Sequence, residues 1–170
     1  VGTPINFEWE KCKLETVSYG HGITTTPIQA TAAYASLTNG GRLIKPTLLK
    51  NKKKEKQTRV IKESTSLQIN NILRKVVTDK FGTASLADIF GYNVGGKTGT
   101  SQYYKDKNKN INTFISIFSV ESSKFVLLVL LDDPKVATDL IYNYRGKNIK
   151  GSRNEAGWNS VYVAGKIIEK

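Results

Sequence analysis

The sequence predicts an α/β sandwich, an antiparallel sheet flanked by helices, and three observations carry that prediction. Two segments with helical punctuation and spacing, "TTTPIQATAAYASLTNGG" and "STSLQINNILRKVV", come first. Two apolar runs, "TFISIFSV" and "KFVLLVLLDD", follow with only "ESS" between them. A helical segment, "NEAGWNSVYVAGKIIEK", closes the chain. So short a connection joins antiparallel neighbours, because parallel ones need a crossover of about a dozen residues or more. Helices, then strands, then a helix is a layered order and not a βαβ alternation.

Each element has a local reason. In the first helix Thr26 is a candidate cap, Pro27 suits the first helical position and Gly40-Gly41 marks the end. Ile28, Ala32, Tyr34 and Ala35 would form its apolar, small-residue face. In the second, Thr65-x-x-Gln68 reads as a capping box. Ile69, Ile72, Leu73, Val76 and Val77 then follow the spacing of one buried helical face. The last helix carries Val161, Ala164, Ile167 and Ile168 on its apolar side.

A chain of 170 residues, 39% hydrophobic, suffices for one cored domain. No apolar run approaches the roughly 20 residues of a membrane-spanning helix. The opening "VGTPINFEWE" has no Met, basic n-region or apolar h-region, and reads as the start of a fragment. Lys and Arg number 26 against 14 Asp and Glu, a formal net charge of +12. Much of the excess lies in "KPTLLKNKKKEKQTR", Lys45 to Arg59, which has no aromatics to stack on bases. It reads as a solvated loop, and no nucleic-acid partner is expected. Cys12 is the only cysteine and His21 the only histidine, so neither a disulfide framework nor a His- or thiol-rich metal site is expected.

The stretch "GYNVGGKTGTSQ", Gly91 to Gln102, satisfies two catalytic patterns. Gly91 to Thr98 fits the Gly-x-x-x-x-Gly-Lys-Thr phosphate loop, and "VLLVLLDD" imitates the strand whose terminal Asp holds Mg²⁺ in such enzymes. Lys97-Thr98-Gly99 is also the third signature of active-site-serine transpeptidases and β-lactamases. A phosphate cradle needs a helix after its loop. Here "GTSQYYKDKNKNINT" follows, polar and without a helical period, and the next two runs are antiparallel. As a strand the segment makes sense. Gly95, Gly96 and Gly99 clear space for a ligand lying along the backbone, Lys97 supplies a positive charge, and Thr98 and Thr100 supply hydroxyls for a carboxylate.

Four colinear stretches resemble the class B penicillin-binding protein transpeptidase domain, particularly its septal, alphaproteobacterial members. They are "SYGHGITTTPIQATAAYASLTNGGRLIKPTLLK", "KFGTASLADIFGYNVGGKTGTSQ", "FVLLVLLDDPK" and "AGWNSVYVAGKIIEK". The resemblance implies the penicillin-binding protein/serine β-lactamase fold, with residues 1–170 forming the C-terminal part of one transpeptidase domain. It places Lys97, Thr98 and Gly99 on the catalytic edge strand and gives the Thr100 amide to the oxyanion hole. The Thr98 and Thr100 hydroxyls would meet the substrate or penicillin carboxylate. The implied reaction is acyl transfer: a serine attacks the penultimate D-Ala carbonyl of a stem peptide, D-Ala leaves, and a second stem peptide takes the acyl group. No cofactor or metal is implied. Implied partners are peptidoglycan stem peptides, β-lactam antibiotics and cell-division proteins. The implied location is the periplasmic face of the inner membrane, held by an anchor upstream. An elongation enzyme or a β-lactam-sensing receptor shares the fold; a P-loop NTPase or a binding module with a basic loop lies outside it.

Two departures qualify the match. There is no Ser-x-x-Lys, so the nucleophile is expected upstream of Val1, and this segment alone is expected to be inactive. Ser152-Arg153-Asn154 is the one Ser-x-Asn, but it follows Lys-Thr-Gly where the family's copy precedes it, and it reads as a chance match. His21, between motif glycines, is assigned a packing or surface role, and the aromatics Trp9 and Trp158 a packing or interface role. Asp132 and Asp133 simply close a strand.

Overall fold

Three antiparallel strands in the order β1 (Gly95–Gln102), β2 (Asn110–Val120) and β3 (Ser123–Asp132) form the centre of the molecule. The computed structural model describes residues 13–20, 23–50, 57–102, 106, 108–120 and 123–170. Trp9, Cys12 and His21 lie outside these residues, as do 51–56 of the Lys-rich stretch. The described helices are α1 (Lys13–Ser18), α2 (Pro27–Thr38), α3 (Glu63–Thr78) and α4 (Ser160–Ile168). A single 3-10 turn, Ser85–Ala87, leads from α3 toward β1.

Pairing Val120 with Ser123 makes β2 and β3 a tight hairpin, so the antiparallel expectation holds. Register also sorts the side chains. Phe114 opposes Thr98 on one neighbour and Val129 on the other, and these share a face with α4. Phe114 is completely buried there with Val129, Val161, Ala164 and Ile168, and Val77, Val94, Ala84 and Ala87 extend the cluster. Lys124, on the other face, reaches the Thr38 carbonyl at the end of α2 at 3.4 Å. Helices therefore cover both faces of the sheet.

The α2 boundaries follow the sequence. Thr26 accepts the Gln29 amide and Gln29 returns a bond to the Thr26 amide, a complete capping box, with Pro27 opening the helix. Past its end Gly40 and Gly41 take φ of 89° and 81°. The last carbonyls of α2 are satisfied by α3, since Ser66 Oγ donates to Leu37 O at 2.6 Å and Asn70 Nδ2 donates to Thr38 O at 3.1 Å.

That contact corrects the reading of α3. Its cap is Lys62, Glu63 is already helical, and Thr65 sits inside the first turn, so no capping box forms at Thr65–Gln68. The face turned inward runs through Ser66, Asn70, Leu73 and Val77, which leaves Ile72 61% exposed. Ile28 on α2 and Ile167 on α4 are likewise half exposed, while Val161, Ala164 and Ile168 are buried as expected.

One element had no counterpart in the sequence reading. A hairpin of β4 (Ile141–Tyr144) and β5 (Lys147–Lys150) turns at Arg145-Gly146, both with positive φ, the two-residue geometry that matches strand twist. Tyr142 and Tyr144 of this hairpin pack on Trp158, and Tyr142 also meets Tyr162 of α4. Trp158 is thus a packing residue, as read.

Candidate active site

Lys97, Thr98, Gly99 and Thr100 occupy consecutive positions of β1, opposite Ile115, Phe114, Thr113 and Asn112. Among the described residues β2 is the only strand paired with β1, so no described strand occupies its other edge. β1 runs on from Lys97-Thr98 to Gln102, so the motif is followed by strand and not by the helix N-terminus that a phosphate loop requires. Asp133, at the end of β3, is engaged by Lys135 at 2.8 Å.

The strand is glycine-rich for steric reasons. A Cβ at Gly96 would stand 2.6 Å from both the Phe114 ring and the Ile115 carbonyl. A Cβ at Gly99 would stand 2.5 Å from Thr113 Oγ1, whose hydroxyl donates to the Gly99 carbonyl at 3.3 Å. The backbone before the strand is held from α3. Arg74 donates to Val94 O at 2.6 Å through one nitrogen and to Asp88 Oδ1 at 2.9 Å through another.

Lys97 is exposed, and its ammonium folds back to donate to the Thr98 carbonyl at 2.7 Å. No carboxylate pairs with it among the described residues. Thr98 Oγ1 and Thr83 Oγ1 share a hydrogen bond at 2.9 Å. Thr100 Oγ1 accepts the Ala156 N–H at 3.3 Å. The four expected residues therefore form a run with one cation and two hydroxyls along a strand edge that no described strand occupies. Sequence reasoning assigned no role to Thr83 or to the Ala156 amide. Thr83 falls within the quoted "KFGTASLADIFG", whereas only the fold brings Ala156 to Thr100.

Asn154 of the out-of-order Ser-x-Asn is part of the loop before α4. Its Oδ1 accepts from Asn159 Nδ2 at 3.0 Å and from Asn112 Nδ2 at 3.3 Å, and its Nδ2 donates to Pro134 O. Its contacts are internal, in keeping with a chance motif match.

A helix-flanked antiparallel sheet with Lys-Thr-Gly-Thr on its edge strand is the arrangement of the penicillin-binding protein and serine β-lactamase fold class. The match to the penicillin binding protein transpeptidase domain spans residues 1–152, and the chain belongs to that family. Stage V sporulation protein D of Bacillus subtilis is 37% identical over 153 residues, covering 79% of this chain and 23% of the relative. The probable peptidoglycan D,D-transpeptidase FtsI of Caulobacter vibrioides is 28% identical, covering 96% of this chain and 28% of the relative. The solved transpeptidase domain of the FtsI4 D,D-transpeptidase from Legionella pneumophila superposes with a TM-score of 0.69 at 24% identity. That match covers 96% of this chain and 55% of the solved one. The chain thus spans about a quarter of the length of these curated relatives.

Proposed function

We propose that these 170 residues are the C-terminal part of the transpeptidase domain of a division-type peptidoglycan D,D-transpeptidase. The observation that carries this reading is the β1 edge, where Lys97, Thr98, Gly99 and Thr100 follow one another with no strand partner on the far side among the described residues. An extended stem peptide adds to such an edge through backbone hydrogen bonds. In this reading the Thr98 and Thr100 hydroxyls receive its terminal carboxylate. The Thr100 amide faces the carbonyl oxygen as negative charge develops on it. Lys97 brings positive charge to a serine contributed by sequence outside this segment. That serine forms an ester with the penultimate D-Ala as the terminal D-Ala departs. The amine of a second stem peptide then takes the acyl group and releases the serine.

β-Lactams imitate the same peptide and would acylate the same serine. The division role is supported by the similarity to the FtsI-named relative; cell-division proteins are then the expected partners, at the periplasmic face of the inner membrane. Among the described residues no helix is long and apolar enough to cross a membrane.

The test is covalent labelling of the full-length protein by a fluorescent penicillin. Labelling is expected, with a loss of at least tenfold in Lys97→Ala, while the 170-residue segment alone stays unlabelled. Labelling of the isolated segment would overturn the assignment of the nucleophile. Absence of labelling in the full-length protein would overturn the function.

A further inference from the structure

The hydroxyl of Thr100 has an asymmetric environment. A hydroxyl carries one proton and two lone pairs, and an amide N–H can only occupy a lone pair. With the Ala156 N–H on Thr100 Oγ1 at 3.3 Å, the Thr100 proton is left for another acceptor. Thr100 is exposed on the edge strand, so that acceptor can be a ligand.

The loop that carries the Ala156 amide is anchored by a partly buried polar network centred on Asn154. Asn112 is completely buried and stands opposite Thr100 on the neighbouring strand. Its Nδ2 donates to the Asn154 carbonyl at 3.4 Å and to Asn154 Oδ1 at 3.3 Å, tying the loop to the same rung of the sheet as Thr100. Asn154 Nδ2 bonds the Pro134 carbonyl beyond β3, and Asn159 Nδ2 bonds Asn154 Oδ1 from the cap of α4. The Ala156 carbonyl is fixed as well, accepting from Ser160 Oγ at 3.1 Å and from the Val161 amide at 3.0 Å. The peptide that carries this N–H is held through the Glu155 carbonyl, which accepts from the Trp158 amide at 2.9 Å and the Asn159 amide at 3.2 Å, while Asn154 anchors the preceding peptide to β2 and the β3 exit.

We propose that Asn154 is a positioning residue for Thr100: by clamping the Ala156 amide onto Thr100 Oγ1 it directs the Thr100 proton outward, as a donor to the carboxylate of the acylating ligand. This rests on the transpeptidase reading of the same strand. The out-of-order Ser-x-Asn thereby acquires a role unlike that of the family motif it imitates, because Asn154 touches no ligand and acts through a backbone amide.

The experiment compares acylation of the full-length protein by benzylpenicillin and by its methyl ester, which lacks the anionic carboxylate. Asn154→Ala should slow acylation by the free acid about tenfold, the scale of one hydrogen bond to a charged group, and change the ester reaction less than about twofold. Thr100→Val should give the same selective loss, and the double variant no further loss, since both remove one interaction. Asn159→Ser keeps a capping side chain for α4 while deleting a donor to Asn154. It should give a smaller loss with the same selectivity and serves if Asn154→Ala does not fold. Equal losses for acid and ester, no loss for either, or multiplying effects in the double variant would each overturn the proposal. A wild-type protein that reacts with neither compound would instead overturn the transpeptidase reading itself.

Discussion

Arg74 donates to the carbonyl of Val94 at 2.6 Å, joining the middle of α3 to the residue immediately before the candidate catalytic strand. The same guanidinium meets Asp88 at 2.9 Å, but both side chains of that pair are about a third or more exposed. An exposed ion pair contributes between zero and about 1 kcal/mol, whereas a charged hydrogen bond to a buried carbonyl contributes about 1.5–3 kcal/mol. Val94 is completely buried, so the carbonyl contact should dominate. Arg74→Ala should cost about 2 kcal/mol in denaturant unfolding of the domain, and Asp88→Asn less than about 1 kcal/mol. Equal costs would show that the ion pair, not the strand anchor, is what matters.

Arg145 is a second anchor. From the tip of the β4–β5 hairpin its Nη2 donates to the Asp79 carbonyl at 2.7 Å and to the Gly82 carbonyl at 3.1 Å. These carbonyls belong to the turn that precedes Thr83, the partner of Thr98. Arg145→Asn keeps a residue that tolerates its φ of 53° but cannot reach that turn. Both carbonyls can turn to water, so the stability loss should stay near 1 kcal/mol. Amide exchange at Gly82 and Ala84 should rise severalfold, because local opening no longer breaks the arginine contacts. Unchanged exchange at both amides would remove the hairpin's role as a latch.

The extent to which this fold was legible follows from what holds each piece. The α2 boundaries and the β2–β3 hairpin were legible because their causes are local: Thr26, Pro27 and Gln29 act within one turn, and the short link forces antiparallel pairing. On α3 the expected Leu73 and Val77 are buried and Val76 packs against the core, and Ile72 alone was misplaced, because hydrophobic spacing cannot register polar residues with a tertiary task. Ser66 and Asn70 turn inward to satisfy the carbonyls of α2, which rotates Ile72 outward. The β4–β5 hairpin was missed because its strands of four residues have no apolar run and its packing depends on Trp158. At the candidate site Lys97 to Thr100 were legible as a motif. Their partners were not, since Thr83 and Ala156 arrive through the fold, the latter from 56 residues away.

Burial of Tyr142 predicts a stability change at alkaline pH. The residue is 4% exposed, and burial, with Tyr162 alongside, pushes its phenol above the ordinary value of 10.0. The folded state therefore holds this proton more tightly than the unfolded state does. That contribution is complete below pH 10 and is lost as pH rises through the raised folded value. Lys166, raised by its bond to Glu169, gives the same sign, so the informative quantity is the difference between variants. Melting temperature should fall above pH 10 in the wild type, and less steeply in Tyr142→Phe. Parallel slopes would place the titration elsewhere.

Gly96 and Gly99 lie three residues apart on one strand, and their alanine variants should fail in different ways. The methyl of Gly96→Ala would meet the Ile115 carbonyl and the fully buried Phe114 ring at 2.6 Å, neither of which can yield without moving the core. Overpacking of this kind costs about 1–3 kcal/mol, and penicillin acylation should decline only with the folded fraction. The methyl of Gly99→Ala meets Thr113 Oγ1 at 2.5 Å and the next atom only at 3.9 Å. A threonine hydroxyl can rotate away, so stability should change by less than about 1 kcal/mol. The same methyl adds bulk where the proposed ligand lies against the strand, and acylation should fall at least tenfold although the domain melts almost normally. Melting curves and acylation rates of the two full-length variants separate these cases. If Gly99→Ala lost stability but not acylation, β1 would be a structural strand and the substrate edge would lie elsewhere.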